Sequence, residues 1–292
     1  MSPTWKVFVY GTLRKNESNA HYVEDALCIA KQAWTYGKLF DTDLGYPAMI
    51  TSNKEKVYGE VYEVDANQLE KLDWLEGYKG DGERNDYERI TQTIYTDNDN
   101  YEALVYIYEP KKVRTKVEIS FGDWKCYRLL NQDTHLYFAY GSCMDTERFK
   151  IAGVDHLFHN LKGCGILKGY ALEYRRKSHD GGRADIVESI NKVEGKVYEV
   201  DSKAVRYLFR REGVDAGIYR PAFIEVEMDG KVYEDVLTFI VINKDEEVAP
   251  PEHYATEILR GAKGIVSEAY YDSLKSNLRD KFRMDPAARL EE

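Results

Sequence analysis

Apolar and polar residues alternate through Lys56-Val57-Tyr58-Gly59-Glu60-Val61-Tyr62-Glu63-Val64 and again through Glu88-Arg89-Ile90-Thr91-Gln92-Thr93-Ile94-Tyr95. That period, with β-branched and aromatic side chains in both runs, predicts two strands. Between them the period changes. The segment 65–76 opens on Asp65, an N-cap residue type, and places Leu69, Leu72 and Leu75 at helical spacing before Gly77, a C-terminal stop. A helix with Glu76 at its end is predicted there. The same order returns later in the chain: a strand over 196–200, a helix over 201–211, Glu212-Gly213, then a strand over 219–228. Met228-Asp229-Gly230-Lys231 is a hairpin signal leading into a strand-like run over 236–242, and Thr96-Asp97-Asn98-Asp99-Asn100 holds the same place before 103–108.

The two halves are copies of one another. Gly195-Lys196-Val197-Tyr198-Glu199-Val200-Asp201 repeats Gly59-Glu60-Val61-Tyr62-Glu63-Val64-Asp65 with one of seven positions changed, 136 residues later. Lys6-Val7-Phe8-Val9-Tyr10-Gly11-Thr12-Leu13 pairs with His135-Leu136-Tyr137-Phe138-Ala139-Tyr140-Gly141-Ser142, each an apolar run broken by Tyr-Gly and a hydroxyl residue. A glutamate, Glu76 or Glu212, follows each Val-Asp landmark by eleven residues although the residues between largely differ. A period near 136 in 292 residues implies two domains, each large enough for its own core, and excludes solenoids and propellers. The domains are placed at 1–131 and 132–285, with a closing helix over 121–130, a join over 131–134, further helices over 254–260 and 267–282, and a polar, disordered tail over 286–292.

Hydrophobic content of 43% and charged content of 32% describe a soluble globular chain, and no apolar run is long enough to span a bilayer. The N-terminus shows no secretory signal, so a cytoplasmic location is expected. A net charge of -10 disfavours nucleic-acid binding through phosphate contacts. Cys28, Cys126, Cys143 and Cys164 have no CxxC spacing and do not recur between copies, so reduced thiols are expected rather than disulfides or a zinc site. His156-Leu157-Phe158-His159 with Cys164 has no counterpart in the first copy, and no metal or other cofactor is expected.

Tyr10-Gly11-Thr12-Leu13 and Tyr140-Gly141-Ser142-Cys143 can expose consecutive backbone N–H groups, a geometry that binds an anion or carboxylate. The hydroxyl of Thr12 or Ser142 adds one hydrogen bond, and the tyrosine supplies a wall or a phenolic donor. One isolated copy would read as a tight turn after a buried strand; recurrence with a distant glutamate favours a site. Glu76 and Glu212 are general-base candidates if folding brings them beside that loop, because burial raises a carboxyl pKa towards neutrality. Their charge is unfavourable at the negative end of a helix, so helix stability does not account for them. Cys143 stands where the first copy has Leu13 and has no assignable histidine partner, which makes it a packed thiol rather than a nucleophile.

In this order and spacing the elements resemble the gamma-glutamylcyclotransferase superfamily, over nearly the whole chain and twice. Val9-Tyr10-Gly11-Thr12-Leu13-Arg14, Gly45-Tyr46-Pro47-Ala48-Met49-Ile50 and Leu72-Asp73-Trp74-Leu75-Glu76-Gly77 are similar to the gamma-glutamylamine branch. Tyr137-Phe138-Ala139-Tyr140-Gly141-Ser142 and Arg211-Glu212-Gly213-Val214-Asp215-Ala216-Gly217-Ile218-Tyr219 are closer to the gamma-glutamyl-peptide branch. The resemblance implies an α+β fold of two tandem domains, each a small mixed β-barrel with packed helices. It also implies cyclisation of a small γ-glutamyl substrate to 5-oxoproline with release of an amine, without water, metal or cofactor. Glu76 and Glu212 become the catalytic candidates. Tyr10, Gly11, Thr12 and Leu13, and in the second copy Tyr137, Phe138, Ala139, Tyr140, Gly141 and Ser142, become the substrate-binding ones. Tyr254 resembles a further substrate-contacting tyrosine, with packing as its alternative role. Cys143-Met144 replaces the usual Asn-Leu of the second loop, so the first copy is expected to be the better catalyst. A non-catalytic receptor for γ-glutamyl compounds and an amidohydrolase releasing glutamate are the rival readings, separable by product.

Overall fold

In both halves of the computed structural model, which describes residues 3–286, the Val-Asp landmark is where a strand turns into a helix. The chain divides into two units between Leu130 and Asn131. The first contains β1 (Trp5–Val9), β2 (Leu27–Tyr36), β3 (Lys38–Asp41), β4 (Pro47–Ile50), β5 (Lys56–Val64), α1 (Ala66–Leu75), β6 (Glu88–Tyr95), β7 (Asn100–Ile107) and α2 (Trp124–Leu129). Five of these strands close into a barrel in the order β1-β5-β2-β6-β7, and β3 pairs with β4 in a separate ribbon. The barrel is mixed: β1 runs antiparallel to β5 but parallel to β7, with Val7 opposite Leu104.

The second unit contains β8 (Thr134–Ala139), α3 (Thr146–Ile151), β9 (Leu161–Ser178), β10 (Gly181–Asp201), α4 (Ser202–Arg211), β11 (Tyr219–Met228), β12 (Lys231–Val241), α5 (Glu252–Ala262) and α6 (Glu268–Phe282). Its barrel, in the order β10-β8-β12-β11-β9, repeats the topology, with Leu237 of β12 parallel to Tyr137 of β8. Among the described residues no helix is long and apolar enough to cross a membrane. Apart from Pro286, the tail expected over 286–292 lies outside the described residues.

Nearly every position of the seven-residue repeat has a structural reason. A Cβ on Gly59 would lie 2.2 Å from the Val9 carbonyl oxygen, and one on Gly195 would lie 2.3 Å from that of Ala139, each beside the ring of Phe8 or Phe138. Only glycine lets the strands approach so closely. Val61, Val64, Val197 and Val200 are buried in the cores, where each contributes ~1.5–3 kcal/mol relative to exposure. Asp65 and Asp201 cap the helices: Asp65 accepts from the Gln68 amide at 2.8 Å while the Gln68 side chain accepts from Asp65 N–H at 3.0 Å. Asp201 accepts from the amides of Lys203 and Ala204, both at 2.9 Å. Such caps are worth about 1 kcal/mol.

Two expectations change in detail. The closing helix starts at Trp124 rather than Phe121, because Phe121 and Gly122 adopt left-handed φ values of 63° and 61° and Asp123 provides the N-cap. The strand expected over 196–200 is the end of a 21-residue strand, β10, paired with the 18-residue β9.

Candidate active site

Each barrel releases the chain at a tyrosine. Tyr10 donates its phenolic proton to the Tyr106 carbonyl on β7 at 2.6 Å, and Tyr140 donates to the Phe239 carbonyl on β12 at 2.6 Å. Both hydrogen bonds span the parallel strand pair, pinning the adjoining loop. They also commit the phenolic protons, so these tyrosines are walls and not donors to a ligand. Gly11 then turns against Pro47, whose Cγ would be 2.7 Å from a Cβ at that position. Among the described residues the amide N–H groups of Gly11, Thr12 and Leu13 have no protein acceptor, and neither do those of Gly141, Ser142 and Cys143. Three consecutive free amides can form an anion-binding concavity. Asn19 Nδ2 donates to Thr12 Oγ1 at 3.0 Å, which leaves the threonine hydroxyl proton available.

The one position that differs in the repeat holds this loop from behind. Glu60 accepts from Arg14 Nε at 3.3 Å, from the Lys15 amide at 2.9 Å and from the Tyr62 hydroxyl at 2.9 Å, while Arg14 Nη1 also reaches Asp123 at 2.9 Å. In the second unit Lys196 takes the place of Glu60 and donates to the Met144 carbonyl at 2.6 Å. Asp145 beside it pairs with Arg260 at 2.5 Å. The swap inverts the clamp's charge and strips Tyr198, the counterpart of Tyr62, of its acceptor: its buried hydroxyl has no hydrogen-bond partner among the described residues.

Glu76 and Glu212 occupy the same stereochemical position. Each is the C-cap of its helix, at φ -82° and -81°, and the next residue, Gly77 or Gly213, turns back at φ +64°. In the first unit that turn aims the half-buried Glu76 into a cavity of about 400 Å³ walled by Tyr10, Gly11, Thr12, Leu13, Tyr87 and Tyr106. Its carboxyl has no hydrogen-bond partner among the described residues, and burial pushes its pKa up to about 8. In the second unit burial also raises Glu212, but the Arg211 guanidinium at 3.9 Å and the Cys143 thiol, donating at 3.3 Å, oppose it. The second cavity is about 30 Å³, the space of roughly one water molecule.

The loop residues Tyr10, Gly11, Thr12 and Leu13 therefore share one wall with Glu76, and Tyr137, Tyr140, Gly141, Ser142 and Tyr254 share another with Glu212. Tyr254 accepts from the Ala184 amide at 3.2 Å and closes over Gly141. Phe138 and Ala139 are not on that wall: Phe138 packs inside the barrel against Gly165 and Gly195, and Ala139 is paired with Lys196 across β8 and β10. Cys143, expected only as a packed thiol, also hydrogen-bonds Glu212. Sequence reasoning missed Tyr87 and Tyr219, which donate to the carbonyls of Pro47 and Ala184, both at 2.8 Å. A tyrosine at the start of the strand after Glu-Gly in both copies was the available signal.

A family model described as "Gamma-glutamyl cyclotransferase, AIG2-like" matches residues 7–126, and one described as "AIG2-like family" matches residues 192–274. The chain is 41% identical over 276 residues to YkqA of Bacillus subtilis, provisionally named a gamma-glutamylcyclotransferase, covering 93% of this chain and 96% of that one. The crystal structure of YkqA superposes with a TM-score of 0.85, covering 95% of this chain and 98% of that one. The gamma-L-glutamyl-butirosin B gamma-glutamyl cyclotransferase of Niallia circulans is 38% identical over 124 residues, 42% of this chain and 77% of its own. The gamma-glutamylcyclotransferase of Bos taurus is 30% identical over 152 residues, 49% of this chain and 78% of its own.

Proposed function

The chain belongs to the gamma-glutamylcyclotransferase family as a cyclotransferase enzyme, and we propose that it converts the γ-glutamyl group of a small amine or peptide to 5-oxoproline. The observation that carries this reading is the meeting, in one cavity, of three amides and a half-buried carboxyl that have no hydrogen-bond partner among the described residues. The amides of Gly11, Thr12 and Leu13 and the Thr12 hydroxyl take the substrate's α-carboxylate. That anchor folds the α-amine towards its own γ-carbonyl, and holding both ends in this conformer removes several kcal/mol of the barrier. The α-nitrogen attacks the γ-carbon, the ring C–N bond forms, and the amide C–N bond to the leaving group breaks. The α-ammonium gives one proton to solvent, and as the ring closes Glu76 accepts the second proton from that nitrogen and delivers it to the departing amine nitrogen. A carboxyl that titrates near 8 is suited to both transfers around neutral pH.

Main turnover is assigned to the first unit, whose cavity accommodates a γ-glutamyl group, whereas the second must open before substrate enters. The same chemistry at Glu212 then contributes a lesser activity. The test is 5-oxoproline formation from a panel of γ-glutamyl amines and dipeptides, with the Glu76→Gln/Glu212→Gln double mutant as reference. Glutamate as the product would replace this reading with hydrolysis, and binding without any product would replace it with a receptor.

A further inference from the structure

The second unit carries a polar relay that the first lacks. Arg211 Nε donates to Cys143 Sγ at 3.1 Å, Cys143 donates to Glu212 Oε1 at 3.3 Å, and Arg211 Nη2 is anchored on Ser142 Oγ at 2.9 Å. Leu75 and Leu13 stand at the matching places in the first unit, and among the described residues no cation or hydrogen-bond donor acts on Glu76. Burial pushes the Cys143 thiol up to about 11, which keeps it an S–H donor at neutral pH and a poor nucleophile.

We propose that Arg211 and Cys143 are positioning residues for Glu212: the guanidinium aligns the thiol, the thiol fixes Oε1, and together they hold the carboxyl in one orientation and favour its charged form. The inference rests on the reading that both glutamates transfer protons, and it makes the two units proton acceptors of different strength within one chain. The other groups facing Glu212 are Tyr137 from β8, Tyr140 just after it, Tyr219 from β11 and Tyr254 from α5. Burial keeps all four phenols neutral, so the guanidinium is the charge that acts on it from these surroundings. Burial raises both glutamates, but only Glu212 has a cation and a donor opposing that rise, and with this support the second unit would extend turnover into more acidic conditions.

The experiment is a pH titration of full-length protein labelled with ¹³C at the glutamate carboxyl carbons, with Glu212 and Glu76 assigned through Glu212→Gln and Glu76→Gln. Glu212 is expected to titrate below Glu76. Arg211→Leu and Cys143→Leu, which copy the first unit, each move its midpoint upward, the arginine change further because it removes a charge. Arg211→Lys and Cys143→Ser retain a cation or a donor and keep the midpoint low, which a merely structural role would not require. The infrared S–H stretch of Cys143, identified by its loss in Cys143→Ser, shifts to higher frequency in Glu212→Gln as the acceptor weakens. A midpoint unmoved by both leucine variants, or an S–H band unchanged by Glu212→Gln, overturns the proposal. In the Glu76→Gln enzyme the acid limb of kcat/KM should follow the same order. Complete loss of turnover in that variant would instead refute a second working site, with the titration still deciding the relay.

Discussion

Replacing Glu76 by Gln removes a carboxyl that the folded protein keeps from ionising, so the variant should lose turnover and gain stability. The size of the gain depends on pH. At low pH the carboxyl is protonated in both the folded and the unfolded chain, and it costs nothing. Between 4.5 and about 8 the unfolded chain releases the proton while the folded one retains it, so wild-type stability falls as pH rises; above that range the cost is constant. The displacement from 4.5 to about 8, at ~1.36 kcal/mol per pH unit, sets a ceiling of about 5 kcal/mol. Solvent at the cavity mouth lowers the effective penalty to roughly 2 kcal/mol, because real protein sites screen far better than a dry interior. For a domain of this size that is a Tm increase of about 8 °C. Thermal unfolding followed by circular dichroism at about pH 3.5, 6 and 9 should show the Glu76→Gln advantage near zero at the first and largest at the last. A constant difference across that range, or a variant less stable than wild type at high pH, would refute the reasoning.

The inverted clamp and the loop glycines make three further predictions. Tyr198→Phe deletes a buried hydroxyl without a partner and should be neutral or stabilising by about 1 kcal/mol in urea unfolding, whereas Tyr62→Phe loses the bond to Glu60 and should destabilise by a similar amount. Arg14→Leu leaves Glu60 and Asp123 buried without their cation, and a loss of about 3–5 kcal/mol in the same assay is expected. Gly11→Ala drives a Cβ into Pro47 and should raise KM or abolish turnover, while Gly141→Ala meets its nearest atom at 3.2 Å and should be milder; steady-state kinetics on both variants checks the order.

Much of the fold was legible because its signals are local. The alternation over 56–64 reflects a strand with its valines in the core, and Asp65 and Gly77 mark the helix ends through a capping box and a positive φ. The long β9–β10 hairpin was not legible, since glycines interrupt its alternation for reasons distant in sequence: a Cβ on Gly165 would lie 2.5 Å from Val226 and 2.6 Å from Val197. The catalytic candidates were visible as recurrent spacing, but their surroundings were not. The repeat shows that Glu60 becomes Lys196 but not that both are buried and clamp the loop through residues distant in sequence. Cys143 lies 69 residues from Glu212, a pairing that no local pattern encodes. The contrast between cavities of about 400 and 30 Å³ was not legible either, and the smaller one is lined in part by Tyr254, from a helix that the repeat does not include.

The central claim is that Glu76, facing the Gly11–Leu13 amides, transfers the proton in an intramolecular cyclisation. Mass-spectrometric quantification of 5-oxoproline from γ-glutamyl amines and dipeptides, comparing wild type with Glu76→Gln, Glu212→Gln and the double mutant, tests it most directly. The account predicts loss of most product in Glu76→Gln, a smaller loss in Glu212→Gln and none formed by a folded double mutant. Undiminished 5-oxoproline from that double mutant would contradict it.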